Sequence, residues 1–252
     1  MDLDGTLYTG AAAIPGAPET LSRLRKQGVP HCLVTNTTSR SRAMVIERLL
    51  GYGFDVSADE VFTATLAGAE LAKAAGQRRV APFVPEPALE DLTELELGGG
   101  TSGRPLKGNP DAVVVGDLGE RWTYGLLQEA FDYLMAGASL IALSRDRYWL
   151  RDRSLALDAG PFVAALEFAT GKSAAVAGKP SPAFYAAALR SLGLDPTAPA
   201  AMVGDDLWSD IQGAQGAGLQ GWLVRTGKYR EDALRQSGIL PDRILDSIAG
   251  LK

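Results

Sequence analysis

The sequence predicts an α/β fold built around a parallel β-sheet, and two observations carry this prediction. Short apolar runs, often rich in β-branched residues, end abruptly in polar residues, as buried strands of parallel sheets do. Amphipathic stretches lie between these runs, and Gly closes several of them, as it closes many helices. Strands that alternate with helices favour a parallel sheet, because each parallel pair needs a crossover connection.

Six runs are predicted strands and four stretches are predicted helices. In chain order the predicted strands lie within 30–36, 111–117, 139–146, 174–180, 200–206 and 220–227. The predicted helices lie within 18–28, 41–53, 124–137 and 181–193. Active sites in parallel sheets form at the carboxyl ends of the strands, so the residues that directly follow the runs are the first candidates for chemistry.

The middle of the chain has a different composition. Residues 80–110 concentrate Pro, acidic residues and Gly, and no regular element is expected there. We expect a catalytic core formed by residues 1–66 and 173–252, with an inserted domain at residues 67–172. Boundaries inferred from sequence are good to about four residues.

Composition narrows the classes of function. The 252 residues are 46% hydrophobic, enough for a sizeable core, and the net charge of −5 with no long basic run argues against nucleic acid or membrane partners. One cysteine, Cys32, and one histidine, His31, exclude an internal disulfide and a multi-histidine metal site. A metal would therefore need oxygen ligands. No apolar run approaches the roughly 20 residues of a membrane span and no leader pattern is visible, so we expect a cytoplasmic protein.

Polar residues at the strand ends offer the groups that phosphoryl transfer needs: a nucleophile, a proton donor and positive charge. Asp2 and Asp4 are two residues apart, so in an extended segment they share a face and can serve one substrate. Thr35 and Asn36 can donate hydrogen bonds to phosphate oxygens, and Lys179 adds a compact positive charge.

The same reasoning suggests a metal. Mg²⁺ takes near-octahedral oxygen coordination, commonly from one or two carboxylates together with water and phosphate. Asp2, together with Asp205 at the end of a predicted strand, would supply such carboxylates.

Four motifs carry a family resemblance. In chain order "DLDGT", "TN", "GKP" and "GDDLWSD" resemble the motifs of the haloacid dehalogenase-like (HAD) hydrolase superfamily. The large insertion between the second and third motifs resembles the α/β cap, type C2, of its class IIA or p-nitrophenyl phosphatase-like branch. Within that branch, residues 148–193 and 202–229 closely resemble the phospholysine phosphohistidine inorganic pyrophosphate phosphatases. The resemblance covers the chain except for about residues 80–110, and it implies a Rossmann-like core and phosphatase activity.

The resemblance also implies roles for single residues. Asp2 would form an aspartyl-phosphate, and Asp4 would protonate the leaving group and then activate water. Thr35 and Lys179 would hold the phosphate, with the side chain or backbone of Asn36 nearby.

By the same resemblance, Mg²⁺ would be held by Asp2, the backbone carbonyl of Asp4 and Asp205. Asp210 would support the metal site without direct coordination, and Asp206 is a less clear-cut candidate for such support. The implied substrates are small phosphorylated compounds, with phospholysine, phosphohistidine and pyrophosphate first. Nucleotides, sugar phosphates or pyridoxal phosphate are alternatives, and pairing of two chains through the cap is a further expectation.

The region before Asp2 departs from the family pattern, because only Met1 precedes it. The first core strand is therefore expected to be missing. We favour the interpretation that Met1 is an internal methionine of a longer chain. In a truncated chain the α-amino group, with a pKa of about 7.7–8, could compete with Mg²⁺ and weaken metal binding. A non-catalytic phosphate-binding protein is the alternative function in that case.

Residues 144–154 alternate positive and negative charges, which predicts a solvated two-stranded edge with charge pairs between its strands. An alternative is a substrate role, in which Arg145 or Arg147 meets a second anionic group such as pyrophosphate presents. The other charged residues of the segment are Asp146, Arg151, Asp152 and Arg153.

Overall fold

Strands and helices alternate along the chain in a computed structural model, which describes residues 1–151 and 154–252. The α-helices are Ala17–Lys26 (α1), Arg42–Gly51 (α2), Ala64–Ala74 (α3), Tyr124–Met135 (α4), Ala159–Thr170 (α5), Pro182–Ser191 (α6), Gly213–Gly216 (α7) and Glu231–Ser237 (α8). The strands are Tyr8–Thr9 (β1), Ala12–Ala13 (β2), Leu33–Thr35 (β3), Val61–Thr63 (β4), Arg79–Phe83 (β5), Glu96–Leu97 (β6), Ala112–Val115 (β7), Ser139–Ala142 (β8), Tyr148–Arg151 (β9), Ser154–Leu157 (β10), Ala175–Val176 (β11), Ala201–Gly204 (β12), Gln220–Val224 (β13) and Arg243–Leu245 (β14). Each predicted strand and helix is confirmed, and most are shorter than the predicted segment.

The described chain divides into two compact units. The first contains residues 1–35, 42–62 and 179–252, and the second contains residues 36–41 and 63–178. The interpretation of residues 67–172 as a cap stays a prediction.

In the first unit, Met1 and Asp2 lie between two neighbouring strands. Asp2 forms a parallel bridge with Val34 of β3, and its backbone N–H donates to the carbonyl of Val203 in β12 at 2.8 Å. The amide of Val34 in turn donates to the carbonyl of Met1 at 2.8 Å. β12, β13 and β14 continue the parallel order on one side, and β3 with β4 lies on the other. The backbone of Asp2 is therefore paired with both neighbouring strands.

Helix α1 shows why the amphipathic stretches fold as predicted. Its buried apolar side chains, Ala17, Leu21 and Leu24, recur at intervals of three or four residues and so form one face. Pro18 stands in the first turn, where a missing amide costs nothing. The buried face joins a core that also contains Leu3 and side chains of β3, β12 and β13.

The second unit has its own parallel sheet of five strands in the order β11-β8-β7-β5-β6. Its central strand β7 is fully buried along its length. Side chains of β5, β7 and β8 pack with those of α4 and α5 in one apolar cluster. An α/β architecture with parallel sheets, as predicted, is therefore present in both units.

The expectation that residues 80–110 contain no regular element is wrong. This stretch contains most of β5, a 3₁₀-helix at Glu86–Leu92 and β6. β5 accommodates Pro82 because β6 pairs only with Arg79 and Val80, so Pro82 lies beyond the end of that strand. There the carbonyl of Pro82 accepts from the backbone N–H of Thr101 at 2.7 Å. A Pro is tolerated where a strand needs no donor on that side.

The predicted two-stranded edge is present, but it extends beyond the charged segment 144–154: β9 lies inside the segment and pairs with β10, which begins at Ser154. The register does not place the expected opposite charges across the two strands at these positions. Tyr148 lies opposite Leu157, and Trp149 lies opposite Ala156. Arg145 instead forms an ion pair of 2.7 Å with Glu167 of α5. Asp152 and Arg153 lie outside the described residues.

Among the described helices, none combines the length and the apolar character needed to cross a membrane.

Candidate active site

A group of acidic residues and one lysine lies at the carboxyl ends of the central strands of the first unit. Asp2 is held between β3 and β12 by its backbone, and Asp205 directly follows β12. Lys179 is the first residue of the chain segment that returns to this unit from the second. Neighbouring parallel strands end at one edge of the sheet, which is why residues far apart in sequence meet here.

Lys179 is 3% exposed and bridges two carboxylates. Its Nζ lies 2.6 Å from Oδ1 of Asp2 and 2.6 Å from Oδ1 of Asp210. Burial would lower the pKa of Lys179, but the two carboxylates outweigh burial and raise it above its usual range. Lys179 therefore stays protonated and fixes one oxygen of each acid.

Asp210 is 1% exposed and is held through both of its oxygens. Oδ1 accepts from Lys179, and Oδ2 accepts from the backbone N–H of Asp206 at 3.2 Å. Asp206 caps the π-helix Leu207–Gln212, which carries Asp210, through Oδ1. A Cβ on Gly204 would collide with the Asp210 carboxylate, so only glycine fits at the end of β12.

Asp205 is 2% exposed, and one of its oxygens is enclosed by backbone. Oδ2 accepts from the backbone N–H of Lys228 at 2.6 Å. A Cβ on either Gly5 or Gly227 would collide with this oxygen, and both glycines have positive φ, +87° and +58°. Burial, with a further contribution from the Asp2 carboxylate, raises the pKa of Asp205 to about 7.

The carboxylates of Asp2, Asp205 and Asp210 form a cluster that fits a metal ion, since one oxygen from each lies within 4.8 Å of the others. Oδ1 of Asp2 accepts from Lys179, and Oδ2 of Asp205 accepts from the backbone N–H of Lys228, so these contacts use one oxygen of each acid. Burial, together with the charge of Asp2, also raises the pKa of Asp210 despite the opposing effect of Lys179. A cation would relieve the repulsion among these buried acids, and an all-oxygen donor set suits Mg²⁺.

Two other predicted site residues of the first unit, Asp4 and Thr35, are not part of the cluster of three carboxylates. Asp4 is exposed and forms a backbone bridge with Tyr8. Thr35 ends β3, next to the bridge between Val34 and Asp2, and is 5% exposed. The roles assigned to Asp4 and Thr35 stay predictions.

Three predicted residues belong to the second unit. Asn36 opens it, and its Oδ1 lies 2.8 Å from the position that a Cβ on Gly178 would take. Arg145 is paired with Glu167, and Arg147 is exposed. Their phosphate-binding and specificity roles stay predictions.

The sequence analysis missed the loop Thr226–Lys228, which follows β13. Lys228 holds Oδ2 of Asp205 through its backbone and Oδ2 of Asp206 through its ammonium group at 2.9 Å. Thr226 Oγ1 donates to the carbonyl of Gly5 at 2.5 Å. The signal for this loop is the apolar run at 220–227, because functional residues are expected directly after such runs.

Comparison with known families matches both ends of the chain. Residues 1–98 match the family described as haloacid dehalogenase-like hydrolase, and residues 176–251 match the family described as HAD-hydrolase-like. Haloacid dehalogenase-like hydrolase domain-containing protein 2 of Bos taurus is 44% identical over 232 residues, which cover 91% of this chain and 84% of the relative. The chain belongs to the haloacid dehalogenase-like hydrolase family. The resemblance predicted from its four motifs is thereby confirmed.

Two further groups of proteins place this HAD hydrolase among phosphatases. Human phospholysine phosphohistidine inorganic pyrophosphate phosphatase is 34% identical over 257 residues, covering 99% of this chain and 90% of the relative. The p-nitrophenyl phosphatase from Archaeoglobus fulgidus has a TM-score of 0.87 at 28% identity, covering 99% of this chain and 95% of that chain.

A glycerol phosphate phosphatase of Mycobacterium tuberculosis in complex with magnesium has a TM-score of 0.83 at 32% identity, covering 99% of this chain and 74% of that chain. The HAD chain described here is accordingly an enzyme, a HAD-like phosphatase of the class IIA type.

Proposed function

We propose that the chain is a Mg²⁺-dependent phosphatase that hydrolyses small phosphorylated substrates through an aspartyl-phosphate on Asp2. The observation that carries the proposal is the arrangement of Asp2, Asp205 and Asp210 around Lys179. In it, one oxygen of Asp2 contacts Lys179 and one oxygen of Asp205 contacts the amide of Lys228, and we assign the second oxygen of each acid to the reaction.

The metal would be held by Asp2 and Asp205, with the backbone carbonyl of Asp4 as the third protein ligand. Asp210 lies in the cluster, but both of its oxygens already accept hydrogen bonds, so we assign it to support. When bound, Mg²⁺ would offset the repulsion between an anionic carboxylate and an anionic phosphate. The magnesium complex of the mycobacterial relative supports the choice of ion.

The covalent step uses the second oxygen of Asp2. Oδ2 of Asp2 attacks the phosphorus atom in line with the leaving oxygen, and the bond from phosphorus to the leaving group breaks. Asp4 gives its proton to the leaving group. Lys179, held against Asp2, presents positive charge to the equatorial oxygens, to which Thr35 and Asn36 donate hydrogen bonds.

Hydrolysis of the intermediate restores the enzyme. Asp4, now ionised, takes a proton from water, and the resulting hydroxide attacks phosphorus. The bond between phosphorus and Oδ2 of Asp2 breaks, and inorganic phosphate leaves. The exposure of Asp4 suits a group that must exchange protons with a substrate and with water in turn.

Phospholysine, phosphohistidine and pyrophosphate are the proposed first substrates, because a relative of that name aligns with 99% of this chain. Nucleotides, sugar phosphates and pyridoxal phosphate are the alternatives. We assign substrate selection to the second unit as a cap, with Arg145 and Arg147 as candidate contacts for a second anionic group. The cytoplasmic location and the pairing of two chains are likewise proposals.

The test is phosphate release from p-nitrophenyl phosphate and pyrophosphate, with Mg²⁺ and with chelator. Asp2→Asn should abolish release, because an amide is a poor nucleophile toward phosphorus. Asp246→Asn is the matched control, since this aspartate of the same unit is 91% exposed in its ion pair with Arg225.

Release that survives Asp2→Asn would overturn the aspartyl-phosphate mechanism. Release that is indifferent to chelator would overturn the metal dependence. A wild-type chain that binds phosphate but releases none would favour the non-catalytic phosphate-binding alternative.

A further inference from the structure

The loop Thr226–Lys228 makes three contacts with the acidic site, each through a different group. Thr226 Oγ1 donates to the carbonyl of Gly5, which belongs to the turn after Asp4. The backbone N–H of Lys228 donates to Oδ2 of Asp205 at 2.6 Å, and its Nζ lies 2.9 Å from Oδ2 of Asp206. The loop therefore joins the turn that carries the nucleophile to the two consecutive acids after β12.

The backbone contact decides which oxygen of Asp205 is available. Oδ2 is taken by the Lys228 amide and enclosed by Gly5 and Gly227, so Oδ1 is the oxygen left for a cation. A Cβ on Gly227 would also lie 2.5 Å from the Cα of Gly5, which shows that the two backbones are in direct contact. Such close packing leaves the Asp205 carboxylate little freedom to rotate.

The ammonium group of Lys228 forms an ion pair with Asp206, which follows Asp205 but is not one of the three clustered carboxylates. Lys228 occupies Oδ2 of Asp206, while Oδ1 caps the π-helix that carries Asp210. The backbone N–H of Asp206 reaches Oδ2 of Asp210. A displacement of Asp206 would therefore disturb Asp210 and, through it, Lys179.

We propose that Lys228 is a positioning residue for the divalent cation, which holds Asp205 and Asp206 so that Oδ1 of Asp205 faces the ion. The inference rests on the proposed metal-dependent function and deepens it. Lys228 does not contact the ion or the reacting phosphate in this role.

The direction in which Mg²⁺ affinity changes when Lys228 is replaced distinguishes a positioning role from simple charge repulsion. A positive charge near a cation site repels the cation, so a Lys228 that had only this effect would weaken metal binding, and its removal would strengthen it. A positioning role predicts the opposite. Substitution of residues that orient metal ligands typically costs 10–100-fold in affinity. Because the side chain of Lys228 is 72% exposed, we expect Lys228→Met to cost about tenfold, the lower end of that range.

The experiment is a calorimetric titration of the full chain with Mg²⁺ in the absence of substrate. The variants are Lys228→Met, Lys228→Arg, Asp206→Asn and the double variant Lys228→Met/Asp206→Asn. Lys26→Met, which removes a positive charge from the last turn of α1, is the control for net charge. We expect weaker binding with Lys228→Met, recovery of most affinity with Lys228→Arg, and wild-type affinity with Lys26→Met.

The double variant tests whether Lys228 acts through Asp206. If it does, the double variant should bind Mg²⁺ about as weakly as the weaker of the two single variants, rather than with their combined loss. Losses that simply add would overturn the proposed route.

The outcomes also separate this proposal from the proposed function. Unchanged or tighter binding by Lys228→Met would overturn the positioning role and leave the metal-dependent phosphatase intact. An unchanged Mg²⁺ affinity with a raised KM for pyrophosphate would assign Lys228 to substrate binding instead. A wild-type chain that binds no Mg²⁺ would overturn both proposals.

Discussion

Lys179 shows how a single residue balances the charge of the candidate site. Its buried ammonium group lies between the carboxylates of Asp2 and Asp210, which would repel each other in its absence. A buried carboxylate that loses its partner is costly, whereas a complete pair contributes little net stability. The residue therefore matters for folding as well as for the proposed binding of phosphate.

We predict that Lys179→Met lowers the free energy of unfolding at pH 8 by about 3–5 kcal/mol, because Asp2 and Asp210 are left buried without their cation. The loss should be smaller near pH 5, where protonation can neutralise Asp210, whose pKa is raised by burial. Urea denaturation at both pH values measures it. A loss below about 1 kcal/mol at pH 8 would contradict this account of the buried pair.

Gly5 shows why the residue after Asp4 in "DLDGT" has no side chain. Its φ of +87° is unfavourable for other residues, and a Cβ would meet the Asp205 carboxylate. A side chain at position 5 would therefore cost both backbone strain and a collision with Asp205.

We predict that Gly5→Ala both lowers the melting temperature and raises the Mg²⁺ concentration needed for half-maximal phosphatase activity. Gly10→Ala is the matched control, because Gly10 also has a positive φ, +60°, but no neighbouring atom lies where its Cβ would be. Gly10→Ala should show only the cost of strain, about 1 kcal/mol, with unchanged Mg²⁺ dependence. Equal Mg²⁺ dependence of the two variants would show that contact with Asp205 is unimportant.

At the scale of elements, strand β5 depends on a contact that no local pattern shows. Asp111, just before β7, accepts hydrogen bonds from the backbone N–H groups of Arg78 and Arg79 and from the Arg79 guanidinium, each at 2.9 Å. The two amides, followed by the guanidinium, lower the pKa of Asp111 to about 2. The start of β7 thus fixes the start of β5.

We predict that Asp111→Asn destabilises the chain by about 1 kcal/mol at pH 7, a modest value because the side chain is 30% exposed. The folded-state pKa lies below the unfolded one, so this stabilisation is present above about pH 4 and is lost as the pH falls through about 2. Thermal unfolding at pH 7 and at the lowest pH that keeps the fold measures it. Asp132→Asn, on the exposed side of α4, is the control and should change stability by less than about 0.5 kcal/mol at either pH.

At the scale of the whole molecule, the acidic cluster lowers the stability of the metal-free chain at neutral pH and favours the binding of a cation. Burial and the charge of Asp2 raise the pKa of Asp205 to about 7 in the folded chain. The folded state then binds more protons than the unfolded state between the two pKa values, so the metal-free chain loses stability as the pH rises from about 4 to about 7. A bound cation would reverse this loss, because it binds the folded state alone.

We predict that Asp205→Asn, in chelator at pH 8, is more stable than the wild type by about 1–2 kcal/mol, and that the difference disappears near pH 4. With Mg²⁺ the order should reverse, since only the wild type would be stabilised, by about 2.7 kcal/mol at a hundredfold excess over Kd. Differential scanning calorimetry with and without Mg²⁺ measures both effects. A wild type more stable than Asp205→Asn in chelator at pH 8 would contradict the proposed repulsion.

Much of the architecture was predictable because it depends on local patterns. Apolar runs such as 200–206 and amphipathic stretches such as 18–28 specify strands and helices through their own burial and spacing, and their order implies parallel pairing. The strand β5 was not predictable in this way. Its Pro82 lies beyond the end of β6, and a sequence does not show where a neighbouring strand ends.

By itself, the sequence determined the α/β class, the family and the set of acids with one lysine, because chain order and residue type carry that information. Only the tertiary structure decided how these groups are used. It placed Lys179 between Asp2 and Asp210, occupied both oxygens of Asp210, and gave Asp205 a backbone partner in the loop after β13. The physical reason is that the hydrogen-bond partners at this sheet edge come from segments up to 221 residues apart, and no local sequence pattern shows that such segments are in contact.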